Sequence, residues 1–131
     1  MLTKRILIVD DNKGIREVLR DFFENQGFEV FEAADGARAI EIASIERFDV
    51  VLTDLKMPIP DGLEVLKEIR RVCPETAVLI LTGYPSPDSM VNALKLGCNG
   101  YASKPIDFDQ LTDVVHKALV KRKWQLQHEE V

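Results

Sequence analysis

Asp10 and Asp11 stand side by side at the end of the apolar run Arg5-Ile6-Leu7-Ile8-Val9. Two further runs end the same way: Val50-Val51-Leu52-Thr53 leads into Asp54, and Ala77-Val78-Leu79-Ile80-Leu81 leads into Thr82. Taken singly, each polar residue has an ordinary role. An Asp before a helix is a turn former, a Thr at a strand end is a cap, and a lone Lys such as Lys104 is a solvated charge. Convergence changes that reading, because parallel neighbouring strands would bring three carboxylates, a hydroxyl and an ammonium to one sheet edge. Two ionised carboxylates about 4 Å apart repel by roughly 4 kcal/mol at an effective dielectric near 20. Three in one cleft therefore require a cation or raised pKa values. Oxygen ligands without Cys or His favour Mg²⁺, or Mn²⁺ in its place, over zinc. Mg²⁺ keeps waters and commonly binds one or two carboxylates together with phosphate, so the cluster suits phosphoryl chemistry.

The elements that must position these residues follow from periodicity. The three runs are apolar throughout, as expected of strands buried on both faces. Between them the pattern changes to a 3.6-residue stripe: Ile15, Val18, Leu19, Phe22 and Phe23, with Asn12 as N-cap and Gly27 at the C-terminal left-handed position. A strand is predicted over Glu29 to Ala33. Ala39, Ile40 and Ala43 predict a second helix, Leu63, Val65, Leu66 and Ile69 a third, and Met90, Ala93 and Leu94 a fourth closed by Gly97. In the loop Tyr84-Pro85-Ser86-Pro87, Ser86 and Pro87 form an N-cap and first-turn pair for that fourth helix. Tyr101 falls in a brief fifth strand, and Leu111, Val114, Val115, Ala118 and Leu119 stripe a last helix opened by Asp107. Strict βα alternation with right-handed crossovers gives a doubly wound α/β fold, a five-stranded parallel sheet flanked by five helices. In such sheets ligands bind beyond the carboxyl ends of the strands, which is where the polar residues gather.

At 131 residues and 46% apolar composition the chain is one domain's worth of material. Its net charge of −5 would repel nucleic acid and anionic membrane, so direct binding to either is not expected. Met1-Leu2-Thr3-Lys4-Arg5 leads straight into a strand, no apolar run reaches transmembrane length, and a cytoplasmic location is expected. Cys73 and Cys98 lack metal-ligand or redox spacing and read as free thiols.

With Asp10-Asp11, Asp54-Leu55-Lys56-Met57-Pro58 followed by Asp61-Gly62, Leu81-Thr82-Gly83, Tyr101 and Lys104-Pro105 in this order and spacing, the chain resembles the receiver domains of two-component response regulators. The match covers nearly its whole length. The resemblance implies a flavodoxin-like sheet of strand order 2-1-3-4-5 and a signalling switch that catalyses its own phosphorylation and dephosphorylation, not a turnover enzyme. It implies that Asp54 is the phosphoacceptor, and that Asp11, Asp54 and the backbone carbonyl of Lys56 hold Mg²⁺ with Asp10 assisting through water. Lys104 would pair with a phosphoryl oxygen, with the Lys104-Pro105 bond cis. Thr82 and Tyr101 match the switch pair, and Lys56 and Tyr84 match positions that flank the phosphoryl group. The donor would be a sensor histidine kinase or a phosphotransfer protein.

Two rival readings use the same residues. A Mg²⁺-dependent aspartate-nucleophile phosphatase needs a second carboxylate two positions after its nucleophile, where Lys56 stands. A non-phosphorylated interaction module of this fold would lack some acidic or switch residues, and none is missing. Residues 1–120 form the expected receiver domain, and 121–131 a helical extension or the start of a linker to an effector domain beyond Val131. Leu119 and Leu126, seven residues apart on the final helix with Trp124 nearby, also open a route to a homodimer through a short coiled coil that must be joined by the receiver face near the fourth and fifth helices.

Overall fold

A computed structural model describes residues 3–127 of the chain. Strands and helices alternate along it: β1 (Arg5–Val9), α1 (Lys13–Asn25), β2 (Glu29–Ala33), α2 (Gly36–Ile45), β3 (Val50–Thr53), α3 (Gly62–Val72), β4 (Ala77–Thr82), α4 (Pro87–Lys95), β5 (Gly100–Ser103) and α5 (Phe108–Gln127). All pairings are parallel, in the order β2-β1-β3-β4-β5. β1 and β3 lie in the middle, so the loops after them open at the point where the chain order reverses.

Side-chain alternation along each central strand builds two cores. Ile6 and Ile8 point to one face, where α1 and α5 supply Leu19, Phe23, Leu111, Val115 and Ala118. Leu7 and Val9 point to the other, against Ala39 and Ala43 of α2, Val65, Leu66 and Ile69 of α3, and Ala93 of α4. Ile6, Leu7 and Ile8 are wholly buried, each burial worth roughly 1.5–3 kcal/mol. The period of two in an unbroken apolar run thus sorts residues to opposite layers, and β1 cannot slip by one residue without exchanging its two cores.

Local chemistry sets the helix ends. Asn12, Asp35, Asp61 and Ser86 cap α1 to α4, the last two in reciprocal capping boxes with Glu64 and Ser89. Gly27 and Gly97 carry φ of 91° just after α1 and α4, where a side chain would be strained. Asp107 accepts from Gln110 N–H and opens α5. Lys104-Pro105 is cis as expected, and Ile59-Pro60 is a second cis bond. Cys73 and Cys98 are free thiols, which burial holds above the ordinary cysteine value.

Two helical stripes pack differently from the expectation. Met90 and Leu94 of α4 are 42% and 60% exposed and only Ala93 is buried, while Val18 of α1 is 48% exposed. Apolar periodicity marks a face without saying what covers it. Helix α5 runs unbroken past position 120 to Gln127. Its Leu119, Arg122, Lys123 and Gln127 border a cleft of about 620 Å³ against Lys4, Phe48 and Glu75 at the amino ends of the strands. The side chains of Trp124 and Leu126, and residues 128–131, lie outside the described residues.

Candidate functional site

The loops after β1 and β3 carry the acidic cluster. Asp10 N–H donates to the Ala33 carbonyl of β2, and Asn12 N–H donates to Asp10 Oδ1 at 2.9 Å, closing a tight turn that presents Asp11 outward. Asp54 N–H donates to the Val9 carbonyl, which fixes the β3 end beside the β1 end. Gly62 allows α3 to approach closely, since a Cβ there would stand 2.2 Å from the Asp54 carbonyl oxygen. The first turn of α3 thus lies against the Asp54 backbone.

Asp10 and Asp54 are buried, Asp11 is exposed, and one oxygen from each lies within 4.8 Å of the others. The counter-charge comes from the loop after β5. Lys104 Nζ donates to Asp10 Oδ2 at 2.8 Å and to Asp54 Oδ2 at 3.0 Å, with its side chain 16% exposed. Burial opposes the ammonium form, but the bonds to the two carboxylates outweigh it and hold the Lys104 pKa above the ordinary lysine value. The cluster is therefore partly neutralised from within. Three carboxylates against one ammonium still leave room for a divalent cation, and the all-oxygen donor set fits Mg²⁺.

The cleft around this cluster is about 520 Å³ and is lined by Asp10, Asp11, Asp54, Lys56, Tyr84 and Lys104, with Asn12, Ile15 and Gly83. Lys56 N–H lies 3.4 Å from Asp54 Oδ1, and its ammonium sits 4.8 Å from the centre of the Tyr84 ring, a cation–π pair at the rim. Thr82 and Tyr101 do not line the cleft. Thr82 is wholly buried, its Oγ1 accepting from Tyr84 N–H at 3.1 Å. Tyr101 is half-buried among residues on the α3 and α4 face, with its hydroxyl 2.9 Å from Ser89 Oγ, the same Ser89 that completes the α4 capping box.

Sequence reasoning missed Arg16 and Ser89. Arg16 Nη1 donates to the Asp10 carbonyl at 2.8 Å while Nε donates to Glu32 at 3.1 Å. The available signal was position: Arg16 begins the second turn of α1, four residues after the Asn12 cap. Ser89 had its place three residues after Ser86 as a signal, but nothing in the sequence pointed to Tyr101.

Residues 6–116 match the family model described as the response regulator receiver domain. The chain is 40% identical over 119 residues to Sporulation initiation phosphotransferase F of Bacillus subtilis (strain 168), covering 91% of this chain and 96% of that protein. It is 41% identical over 115 residues to Regulatory protein AtoC of Escherichia coli (strain K12), covering 88% of this chain but 25% of that longer protein. Among solved structures, a CheY-like response regulator receiver domain protein from Methanospirillum hungatei JF-1 superposes with a TM-score of 0.90 at 30% identity, over 95% of this chain and 99% of that one. The receiver domain of sensor histidine kinase PA1611 from Pseudomonas aeruginosa PAO1, solved with a magnesium ion coordinated in its active-site cleft, superposes with a TM-score of 0.81 at 28% identity, over 90% and 98%.

Proposed function

The chain belongs to the response regulator receiver domains of two-component signalling, and on that premise we propose that it takes a phosphoryl group onto Asp54 and changes its output surface in response. The observation that carries this reading is the meeting of Asp10, Asp11 and Asp54 within 4.8 Å, with Lys104 Nζ bonded to two of them. Asp10, Asp11, Asp54 and the backbone carbonyl of Lys56 would hold Mg²⁺, or Mn²⁺, which when bound neutralises phosphoryl oxygens. Asp54 carboxylate attacks phosphorus, the bond from phosphorus to the donor's histidine nitrogen breaks, and an acyl phosphate remains on the protein. Lys104 is placed to release its hold on Asp54 and pair with the arriving phosphoryl oxygen, which is how charge developed in phosphoryl transfer is stabilised.

Thr82 is one residue from the cleft lining and its hydroxyl bonds only a backbone N–H among the described residues, so turning toward a phosphoryl group costs one hydrogen bond. Tyr101 would follow it inward, breaking the contact with Ser89 and altering the α4–β5–α5 face. The donor is a sensor histidine kinase or a phosphotransfer protein, acting in the cytoplasm. The recipient is an effector domain beyond Val131, in keeping with the quarter of AtoC that the chain spans, or a second copy of the chain. The phosphatase reading gains nothing, since Lys56 is engaged with Tyr84 where an acid/base carboxylate would be needed. Incubation with acetyl phosphate and Mg²⁺ is expected to add one phosphoryl group, located on Asp54 by intact mass and peptide mapping. Undiminished modification of Asp54→Asn, or indifference to chelation, would sink the assignment.

A further inference from the structure

The carbonyl of Asp10 is held by an arginine that is itself held at its other edge. Arg16 Nη1 donates to that carbonyl at 2.8 Å, and Arg16 Nε donates to Glu32 Oε1 at 3.1 Å. Glu32 on β2 is fixed in turn by Arg20 Nε at 2.5 Å, and Arg20 Nη1 reaches Glu24 at 2.8 Å. The Arg16 side chain is 15% exposed and Glu32 25%, so this is a partly desolvated network. Its planar fork fixes direction as well as distance, which a flexible ammonium would not do.

The position of that carbonyl matters because it belongs to the peptide joining Asp10 to Asp11. Asp10 is tied at its N–H by Ala33 and at its carboxylate by Asn12 N–H and Lys104. Its carbonyl is the remaining backbone group, and the Asp11 N–H lies in the same rigid plane. Releasing the carbonyl frees that plane to rotate, and with it the direction in which the exposed Asp11 carboxylate leaves the turn. We propose that Arg16 is a positioning residue of the cation site: through the Asp10 carbonyl it aims Asp11, and Glu32 holds Arg16 in place. The inference rests on the proposed Mg²⁺ site, to which Arg16 contributes no ligand. Outer partners that orient metal ligands typically change affinity by 10–100-fold when removed.

The experiment is Mg²⁺ titration of the full chain, read as heat of binding and as the Mg²⁺-dependent rise in melting temperature, for wild type, Arg16→Ala, Arg16→Lys and Glu32→Gln. The half-saturating Mg²⁺ concentration is expected to rise about tenfold in Arg16→Ala, by less in Glu32→Gln, and to be only partly recovered in Arg16→Lys. Acetyl phosphate labelling of Arg16→Ala is expected to need correspondingly more Mg²⁺. A residue that merely stabilises the fold would lower the melting temperature equally with and without Mg²⁺ and leave half-saturation in place. That outcome in Glu32→Gln and in whichever Arg16 variants fold overturns the proposal while the receiver reading stands. Failure of wild type to bind Mg²⁺ overturns both.

Discussion

Lys104 answers a question that charge alone poses at this site. Three carboxylates cannot share a cleft without compensation, and the ammonium bonded to Asp10 and Asp54 supplies part of it. Asp11 has no such bond from Lys104 and is exposed, so it is the acidic group whose repulsion is least answered in the absence of a divalent ion. Asp11→Asn is therefore expected to raise the melting temperature of the metal-free protein by roughly 2–4 °C and to abolish the further rise that Mg²⁺ gives wild type. Thermal melts with Mg²⁺ and with chelator decide this, and a lower metal-free midpoint in the variant would contradict it. The acidic residues were readable in the sequence because Asp10, Asp11 and Asp54 converge at the ends of consecutive strands, although each alone has an ordinary role as a turn former. Arg16 was not, since an arginine on an amphipathic helix reads as a solvated charge until β2 is placed beside it with Glu32 facing it.

At the scale of elements, α1 is fastened to the edge strand β2 by the Arg16 and Arg20 pairs to Glu32, and this linkage is pH-dependent. Burial alone would raise the Glu32 pKa, but the arginine hydrogen bonds outweigh it and hold the carboxyl below the ordinary glutamate value. A depressed folded-state pKa contributes stability that is complete above the unfolded value of about 4.3 and is lost as pH falls through the folded value. Glu32→Gln is accordingly expected to cost roughly 1–2 kcal/mol at neutral pH, with the gap from wild type closing below about pH 4. Urea unfolding of both proteins across that range measures it; a gap independent of pH would mean that the Glu32 charge is immaterial. The elements themselves were legible: Asn12, Gly27, Ser86 and Gly97 mark helix ends by chemistry that acts within one turn. The α4 stripe misled, because Met90 and Leu94 repeat at helical spacing yet face outward. An apolar face kept for a partner and one kept for the core have the same period.

For the whole molecule, β-strand order places the acidic cleft between the centre of the sheet and Lys104 from its β5 edge, so a charge added at Asp54 is felt across three strands. Met90, Val91 and Leu94 on α4 and Val120 on α5 are exposed apolar residues, and docking of a second copy onto them is the proposal to be tested. A dimer is expected to become more populated on phosphorylation and less when the chain is cut after Val120. Sedimentation equilibrium of both chains, with and without a phosphoryl mimic, tests it; monomer in all four samples would leave α5 as a connector alone. That helix, Phe108–Gln127, is 20 residues long without a break, about 30 Å of rigid shaft. Its root is clamped in the core through Leu111, Val115 and Ala118, and the stretch from Val120 carries the axis about 12 Å further, beside a cleft of about 620 Å³ that leaves it clearance. Mechanically this is a lever with its fulcrum in the sheet: a tilt of about 10° about Val115 sweeps Gln127, about 18 Å away, by roughly 3 Å, enough to cover the ~1–2 Å at which helix shifts repack subunit interfaces.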